Sequence, residues 1–522
     1  MKFFNTAGPI NQDKHYYLPS EERIDLSQIL SLIEQAKYFS VHAPRQSGKT
    51  TMLLSLMKML NEGGKYKCLY VNVESAQSAR EDVLEVNNVI IQSLKCSETF
   101  YLKEKIIGDS ANDLLEKPIM TKLANVLSDW ARESNLPTVL LIDEIDSLVG
   151  YGLISVLRQL RSRYDTRPTA FPQSILLCGV REVKDYRIHH SNKDIIKGGG
   201  CFNINSATIT IDNFTKEQVK ELYLQHTKET GQKFNEDALD KVFYWTNGQP
   251  WLVNSIGYEV CFENKKLRDR KINITKEHID EAKENLIQSR ITNLDKLADK
   301  LKEDSVRSII RPMLEGGNIE TIYPDDLQYS IDLGLVINDR GVIKVANRIY
   351  AQVIPIELNY ITQFNIASLY EPEWYEKETG ALNIEKLLSD FQEFFRENSE
   401  VWIERFDYKE AGPQLLVQAF LQYVLNGGGK IYREYGLGMY RTDILIEWKD
   451  NTKFVLELKI LRKSLEKTIE DGLEQTAKYM ERTASNIGHL LIFDNSNEKS
   501  WDEKIFIEEK DYKGKKIKIW GM

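Results

Sequence analysis

The first part of the chain alternates short apolar runs with longer amphipathic stretches. Five runs of β-branched and other apolar residues are separated by segments with helical spacing; the runs are 38–42, 68–73, 138–143, 174–179 and 208–211. Each run is largely apolar on both faces, as strands of a parallel sheet are when helices cover both sides. The pattern therefore predicts an α/β fold with a parallel sheet over about residues 28–212.

A helical region follows. Over 213–290 the apolar residues keep helical spacing, and Thr215 with Gln218 forms a predicted N-terminal capping box. An Asn-Gly-Gln-Pro turn at 247–250 interrupts the pattern. We therefore expect a small helical domain attached to the sheet.

The next segment, 291–358, predicts two helices and a hairpin. The helices lie near 305–314 and 325–333, and two short apolar runs flank the turn at 338–341. This order is that of a winged helix. Winged helices bind DNA in some proteins and contact other proteins elsewhere. The predicted second helix carries few basic residues, which favours protein contact over DNA reading.

The remaining chain predicts a second α/β domain with a mixed sheet. A helix at 381–400 precedes this domain; the domain's predicted helices are 409–425 and 464–482, and its predicted strands are 441–448, 453–460 and 489–493. The changes of pattern divide the chain into an N-terminal arm (1–27), a sheet-containing core (28–212), a helical lid (213–290), a winged helix (291–358), a helical connector (359–402) and a C-terminal α/β domain (403–522).

Length and composition agree with several folded domains. At about 150 residues per domain, 522 residues suggest roughly three or four, and 42% hydrophobic with 28% charged residues is an ordinary globular composition. No apolar run approaches the roughly 18 residues of a membrane span. Asn, Gly and Pro near the N-terminus interrupt any signal-like run. We expect a cytoplasmic protein without a membrane partner.

The net charge and the cysteine content limit which partners and metal sites the sequence can predict. The net charge of −9 argues against a surface that binds nucleic acid everywhere, although a local basic groove is compatible with it. Five widely spaced cysteines form neither a zinc pattern nor a disulfide framework. Partner chemistry must therefore be sought in local motifs.

A phosphate-binding motif lies between the first predicted strand and the next predicted helix. In such a loop Gly48 allows close backbone approach, Lys49 reaches the β- and γ-phosphates, and the Thr50 hydroxyl ligates Mg²⁺. Alanine stands at position 43, where the strict motif has glycine. The predicted cofactor-binding segment is Ala43, Pro44, Arg45, Gln46, Ser47, Gly48, Lys49, Thr50 and Thr51.

Two carboxylates end the third predicted strand. Asp143 is the expected ligand of the Mg²⁺ shell, and Glu144 is the expected general base that polarises the attacking water. A helix start after a buried strand is the alternative, because acidic residues also favour helix N-termini. A phosphate loop and a carboxylate pair, each after a strand and in this order, favour the nucleotide site.

These residues resemble AAA-like ATPases related to the STAND and origin-recognition groups. The resemblance rests on the two motifs, on Asp-Glu-Ile-Asp at 143–146 and on Leu-Leu-Cys-Gly-Val-Arg at 176–181, and it covers about residues 10–358. It implies a P-loop NTPase core that binds and hydrolyses ATP with Mg²⁺, and we expect a homo-oligomer. It also implies that Arg181 senses the γ-phosphate and that Pro250 approaches the base. Arg181 has a second interpretation as a surface salt-bridge residue.

A second group of charged residues lies on two predicted strands of the C-terminal domain. Asp443 lies on one strand, and Glu457 and Lys459 lie on the next. Strand alternation places Glu457 and Lys459 on one face, which Asp443 can reach from the neighbouring strand. Two carboxylates hold Mg²⁺ or Mn²⁺, and the metal together with a lysine activates water and stabilises phosphoryl charge.

This pattern resembles the PD-(D/E)XK nuclease superfamily, with Thr442 before Asp443 in place of the proline in the family name. Gln475 and Tyr479 match the Gln-x-x-x-Tyr element of RecB-like members, and Glu410 begins a helix where many members carry a further metal ligand. The resemblance covers about 403–495. It implies catalytic roles for Asp443, Glu457, Lys459, Gln475 and Tyr479, and metal ligation by Glu410, Asp443 and Glu457. The alternative is a sheet with polar side chains on its exposed face.

DNA or RNA is the expected second partner. Basic residues that suit a phosphate backbone lie around the second group: Lys430, Arg433, Arg441, Arg462, Lys463 and Lys467. Three nearby tyrosines either stack on bases or pack between strands: Tyr432, Tyr435 and Tyr440. The sequence predicts an ATP-dependent switch that controls a metal-dependent nuclease, a combination suited to defence against foreign nucleic acid. The alternative is a STAND-like signalling or scaffold ATPase whose C-terminal domain only binds nucleic acid or partners.

Overall fold

The structure is a computed structural model of the chain. It describes residues 1–107, 121–181, 187–189, 195–197, 204–288, 299–315, 323–354, 374, 379–403, 417, 420–421, 430–436, 441–448, 451–461, 464–494 and 499–522. Of residues 187–189, 195–197, 288, 311–312, 314–315, 397–403, 430–436 and 441–443 only the backbone is described. The chain forms two compact units, Met1–Gln288 with Ile331–Leu335, and Ser289–Ser330 with Val336–Met522.

A five-stranded parallel sheet forms the centre of the first unit. Its strands are β1 (Tyr38–His42), β2 (Lys67–Asn72), β3 (Thr138–Asp143), β4 (Ser174–Gly179) and β7 (Asn205–Thr210); the short antiparallel pair β5 (Arg187–His189) and β6 (Ile195–Lys197) precedes β7 in the chain. The order across the sheet is β2-β3-β4-β1-β7, and all neighbouring pairs run parallel. The predicted parallel sheet is confirmed. The loop after β1 and the carboxylates that end β3 therefore share the C-terminal edge of the sheet, where α/β proteins bind ligands.

Helices cover both faces of this sheet because its strands are apolar on both sides. The helices of the first unit are α1 (Leu26–Glu34), α2 (Lys49–Glu62), α3 (Val83–Ser97), α4 (Lys122–Glu133), α5 (Gly150–Arg161), α6 (Lys216–Thr230), α7 (Glu236–Thr246), α8 (Pro250–Tyr258) and α9 (Lys276–Gln288). One buried cluster joins Leu140 and its neighbours to Trp130 of α4. The other joins Leu141 to Met52 of α2. Successive residues of β3 thus enter opposite cores.

The edge strand β7 begins three residues before its predicted start at 208. Its first residues, Asn205 and Ser206, are polar, so an apolar pattern does not reveal them. Asn205 pairs with Tyr38 in the sheet register, and its side-chain amide donates to Ser40 Oγ at 3.0 Å. Since an edge strand is only half covered, polar residues are tolerated there.

The helical lid has the predicted local structure at two points. Thr215 and Gln218 form the capping box of α6, in which each side chain accepts from the other residue's backbone N–H. The 247–250 turn separates α7 from α8, with Pro250 as the first residue of α8. Proline is favoured there because the first helical N–H has no partner within the helix.

Two helices and a hairpin follow in the chain. They are α10 (Asp304–Glu315), α11 (Pro324–Asp332), β8 (Val336–Asp339) and β9 (Val342–Val345). The two strands pair antiparallel around the turn at Arg340 and Gly341, which both have positive φ. These elements occur in the order predicted for a winged helix. The connector contributes α12 (Ile384–Ile403), close to the predicted helix at 381–400.

A six-stranded mixed sheet forms the C-terminal part of the second unit. Its elements are β10 (Lys430–Gly436), β11 (Arg441–Glu447), β12 (Lys453–Ile460), α13 (Leu465–Thr483), β13 (Ile487–Phe493), α14 (Trp501–Lys504), β14 (Phe506–Tyr512) and β15 (Lys515–Gly521), with strand order β10-β11-β12-β13-β15-β14. Helix α13 packs on the sheet through Leu473 and Met480, which join Leu490 in one buried cluster. The mixed sheet was predicted, but β10, β14 and β15 were missed. The predicted helix at 409–425 lies mostly outside the described residues.

Within the described ranges, no helix combines the length and apolarity needed to cross a membrane.

Candidate functional site

The loop between β1 and α2 is built around two residues with positive φ. Gln46 has a φ of +60° and Gly48 a φ of +94°, and Gly48 caps the N-terminus of α2. A Cβ at Gly48 would lie 3.2 Å from Arg23 Nη1. Glycine therefore serves both the left-handed backbone and the close approach of a cation. The loop presents the N-terminus of a 14-residue helix, where the helix dipole favours anions.

The ammonium group of Lys49 is held at this loop. Lys49 Nζ donates to Ala43 O at 2.9 Å and to Pro44 O at 3.1 Å, and the residue is buried. Ser47 Oγ also donates to Pro44 O, at 2.8 Å. Since an ammonium has three N–H donors, Lys49 can keep a loop carbonyl and still donate to a phosphate oxygen.

Asp143 is fully buried and accepts three hydrogen bonds. Its Oδ2 accepts from Thr50 Oγ1 at 2.7 Å and from Tyr70 Oη at 3.0 Å. Its Oδ1 accepts from the Glu144 N–H at 3.0 Å. Burial and the nearby charge of Asp143 raise the pKa of the Tyr70 phenol, so that this group stays protonated and donates. The structure thus places the two predicted Mg²⁺ ligands, Thr50 and Asp143, in direct contact.

Glu144 follows Asp143 in a left-handed conformation, with a φ of +56°, and its half-buried side chain lines the same cavity as Lys49. Burial raises the pKa of this carboxyl above that of an ordinary glutamate. The Lys49 ammonium opposes the rise, and Asp146, Asp143 and Glu74 add to it. A carboxylate with a raised pKa is a stronger base, as the predicted role requires.

The cavity at this site has a volume of about 470 Å³. Seven of the predicted residues line it: Gln46, Gly48, Lys49, Thr50, Thr51, Glu144 and Pro250. Ala43 and Pro44 do not line it, but their carbonyl oxygens accept hydrogen bonds from Lys49, which does. Asp143 is hydrogen-bonded to the lining residue Thr50. Arg181 lies two residues beyond β4, is partly exposed, and is not among the lining residues of the described chain. Its γ-phosphate role stays a prediction.

The first residues of the lid make a close backbone contact with its 247–250 turn. The Phe214 N–H donates to Gly248 O at 2.9 Å, and a Cβ at Gly248 would lie 1.9 Å from Phe214 O. The Gln249 side chain caps α8 by accepting from the Leu252 N–H at 2.6 Å. These contacts fix the position of Pro250 on the cavity wall.

Sequence reasoning missed the N-terminal arm as part of the site. Residues 5–10, 16–18, 20 and 23 all line the cavity. The Ile10 N–H donates to Thr51 Oγ1 at 3.1 Å, and Trp251 Nε1 donates to Thr6 O at 3.1 Å. The arm therefore bridges the phosphate loop helix and the lid. Most of these contacts use backbone atoms, which leave no motif in the sequence.

Arg23 is the one charged residue of the arm that lines the cavity. Its Nε and Nη2 donate to Asp212 O at 2.9 and 2.6 Å, and its guanidinium lies over the Phe214 ring at 4.7 Å. Burial lowers the pKa of Arg23 to about 10, which still leaves it charged at neutral pH. Arg23 ends a short 3-10 helix, Ser20–Arg23, and no sequence signal could have found it, because burial is not visible in a sequence.

The charged group of the C-terminal sheet is assembled across two antiparallel strands. Asp443 of β11 pairs directly with Glu457 of β12 in the register. Glu457 is fully buried, and its Oε1 lies 2.5 Å from Lys459 Nζ. Lys459 also donates to Gln475 Oε1 on α13. The structure thus brings Glu457, Lys459 and Gln475 together, with the backbone of Asp443 opposite.

Three further predictions for this group have different outcomes. Tyr479 is buried in the cluster between α13 and the sheet. Glu410 and the side chain of Asp443 lie outside the described residues. Among the His, Cys, Asp and Glu side chains that are described, no group of three could hold a metal ion. Of the neighbouring basic side chains, Lys467 is described and pairs with Glu470 at 2.8 Å.

Three solved structures that match the chain are distant from it in sequence. A Walker-type ATPase of Pyrococcus abyssi matches with 15% identity and a TM-score of 0.47, covering 67% of this chain and 99% of that one. Cdc6p of Pyrobaculum aerophilum matches with 16% identity and a TM-score of 0.38, covering 67% and 95%. A RuvB variant of Thermotoga maritima matches with 14% identity and a TM-score of 0.33, covering 63% and 94%.

No curated protein matches the chain. A family model does match, over residues 5–303, which is more than half of the sequence and includes the arm, the sheet and the lid. The match contains the phosphate loop, Asp143 and Glu144. The chain belongs to the family defined by the AAA-like domain.

Proposed function

We propose that this AAA-like P-loop ATPase binds MgATP in the cavity at the end of its parallel sheet, and that the ATP cycle controls a metal-dependent nuclease in the C-terminal sheet. The observation that carries the first half is the 2.7 Å hydrogen bond between Thr50 and Asp143, beside a cavity lined by Lys49 and Glu144. Four side chains from two separate motifs meet there.

The residues present fit MgATP. The dipole of α2 and the Lys49 ammonium supply positive potential for a phosphate chain. The Thr50 hydroxyl and the Asp143 carboxylate are the oxygen donors that would hold Mg²⁺ and its waters. When bound, the ion offsets phosphate charge and polarises a phosphoryl oxygen. Glu144 accepts the proton of the attacking water, since its raised pKa keeps it a competent base.

Two substitutions test this assignment. Lys49→Ala should abolish tight ATP binding, because it removes the cation at the loop. Glu144→Gln should bind ATP and hydrolyse it slowly, because only the base is lost. Lys58→Ala is the matched control, since Lys58 is an exposed lysine on the same helix that pairs with Glu62 at 3.8 Å. Wild-type turnover by Glu144→Gln would show that the assigned base is wrong.

The proposed nuclease rests on the group around Glu457. A fully buried carboxylate is costly unless it is paired, and here Lys459 pairs with it at 2.5 Å. Such a pair, directly opposite Asp443 in the strand register, suits a metal and a lysine that act on a phosphodiester. Asp443 and Glu457 would hold Mg²⁺ or Mn²⁺, with Glu410 as the further ligand, and the bound metal would supply an activated water. Gln475 orients Lys459.

Cleavage assays decide between a nuclease and a binding module. Purified protein is incubated with plasmid DNA, single-stranded DNA and RNA, with Mg²⁺ or Mn²⁺, and with or without ATP. Lys459→Ala and Asp443→Ala should abolish cleavage and leave ATP hydrolysis largely intact. Lys510→Ala is the matched control and should leave cleavage unchanged, since Lys510 is an exposed lysine of β14 that pairs with Glu508 at 3.6 Å. Binding of nucleic acid without any cleavage by the wild type would favour the signalling or scaffold function instead.

Coupling between the two activities is measured with Glu144→Gln, which holds ATP without turnover. A typical allosteric coupling of about 1–3 kcal/mol changes nuclease rate or nucleic-acid affinity about 5- to 150-fold. Arg181→Ala should reduce this difference and spare ATP binding. Equal rates and affinities with and without ATP would mean two independent enzymes on one chain. We include defence in the proposal: cells carrying the wild type should resist invading nucleic acid better than cells carrying Lys459→Ala.

A further inference from the structure

Tyr70 contacts the candidate metal site from a strand that carries no recognised motif. It lies on β2, which pairs with β3 so that Asn72 aligns with Asp143. Its phenol reaches forward along the strand and donates to Asp143 Oδ2 at 3.0 Å. The residue is buried and also lines the cavity. A tyrosine that only filled the core would need no such contact with a carboxylate.

The hydrogen bonds at Asp143 leave little freedom to its carboxylate. Thr50 and Tyr70 both donate to Oδ2, from α2 and from β2, while the Glu144 N–H occupies Oδ1. The Tyr70 ring is itself fixed, because it meets the Tyr101 ring edge-on at a centroid distance of 6.0 Å. The orientation of Asp143 is therefore set by groups on three elements before any ligand binds.

We propose that Tyr70 is a positioning residue for the metal of MgATP: its phenol holds Asp143 Oδ2 so that Thr50 and Asp143 present one preorganised pair of oxygens. The inference rests on the proposed ATP site. Partners that orient a metal-ligating or metal-shell group typically change metal affinity about 10- to 100-fold when they are removed. Tyr70→Phe removes the hydroxyl alone and keeps the ring that packs in the core.

Equilibrium binding of a fluorescent, non-hydrolysable ATP analogue distinguishes positioning of the metal site from a purely structural role of Tyr70. The analogue is titrated in EDTA, and Mg²⁺ is then titrated at a fixed analogue concentration. Tyr70→Phe should match the wild type in EDTA and need about 10- to 100-fold more Mg²⁺ for half-saturation. Tyr101→Phe is the matched control, since it removes the neighbouring phenol, and its Mg²⁺ requirement should equal that of the wild type.

A double-mutant cycle checks that Tyr70 acts through Asp143. In an Asp143→Asn background, Tyr70→Phe should cause no further change in the Mg²⁺ requirement. An additive effect would overturn the inference, as would an unchanged requirement in Tyr70→Phe alone. Equal weakening with and without Mg²⁺ would also overturn it, by showing a structural role only. A wild type that shows no Mg²⁺-dependent binding of the analogue would overturn the proposed ATP site, and the inference with it.

Discussion

Replacing Gly248 by alanine tests whether the lid turn sets the nucleotide site. Gly248 has a φ of +71°, and a Cβ there would lie 1.9 Å from Phe214 O. The two backbones already share a hydrogen bond of 2.9 Å between the Phe214 N–H and Gly248 O. Alanine can therefore be accommodated only if the turn moves, and the turn positions Pro250 at the start of α8.

Gly231 provides the matched control for the size of this effect. It has a similar φ of +78°, but a Cβ there would meet no atom within 4 Å. Gly231→Ala should therefore cost only the left-handed backbone penalty, about 1–2 kcal/mol. Gly248→Ala adds the overlap with Phe214, about 1–3 kcal/mol more. The expected loss of unfolding free energy is about 2–5 kcal/mol for Gly248→Ala.

Urea unfolding gives the two free energies, and titration with a fluorescent ATP analogue gives the two affinities. Gly248→Ala should weaken nucleotide binding at least about tenfold, which is about 1.4 kcal/mol, because Pro250, Trp251 and Asn254 of α8 line the cavity. Gly231→Ala should bind like the wild type. Equal destabilisation by both variants, or wild-type affinity in Gly248→Ala, would refute the argument that this contact positions the lid.

Three further predictions concern single contacts. Because burial raises the pKa of Glu144, its carboxylate form, and with it ATP hydrolysis, should be lost as the pH falls through a value above the ordinary glutamate pKa; a rate profile flat down to pH about 4.3 would contradict this. Thr51→Val removes the acceptor for the Ile10 N–H and should lower the free energy of opening the arm by about 0.5–1.5 kcal/mol. Limited proteolysis should then cleave the arm faster, and an unchanged cleavage rate would show that the bond does not hold the arm. Arg23→Gln removes the guanidinium bonds to Asp212 O and should lower the unfolding free energy by about 1.5–3 kcal/mol; a loss below about 0.5 kcal/mol, typical of surface changes, would contradict that role.

The sheet of the ATPase unit could be predicted because its strands are buried on both faces. Runs such as 138–143 are apolar at successive positions, and β3 occupies that range in the structure. The missed strands of the C-terminal sheet carry a weaker signal. In β14, Glu508, Glu509 and Lys510 are exposed, so the strand has no apolar run. In β15, Ile517 and Ile519 alternate with lysines and are buried, and this period of two was a usable signal that the prediction missed.

In the candidate sites, residues within a short motif could be predicted from the sequence, whereas residues brought in from distant parts of the chain could not. Lys49 and Thr50 are adjacent in the loop, and the motif alone locates them. Tyr70 and Arg23 reach the proposed ATP site through a strand register and through burial, and neither property is visible in a short stretch of sequence.

The charged group around Glu457 is a third case, because its geometry depends both on the alternation of side chains along each strand and on the pairing between strands. Alternation predicts that Glu457 and Lys459 share a face, but alternation within one strand cannot say which residue lies opposite. A register shift of one position would move Asp443 to the other face of the sheet. The observed pairing of Asp443 with Glu457 therefore depends on the whole β11–β12 ladder. A substitution that shifts this ladder should disturb the proposed nuclease without touching any of its functional side chains.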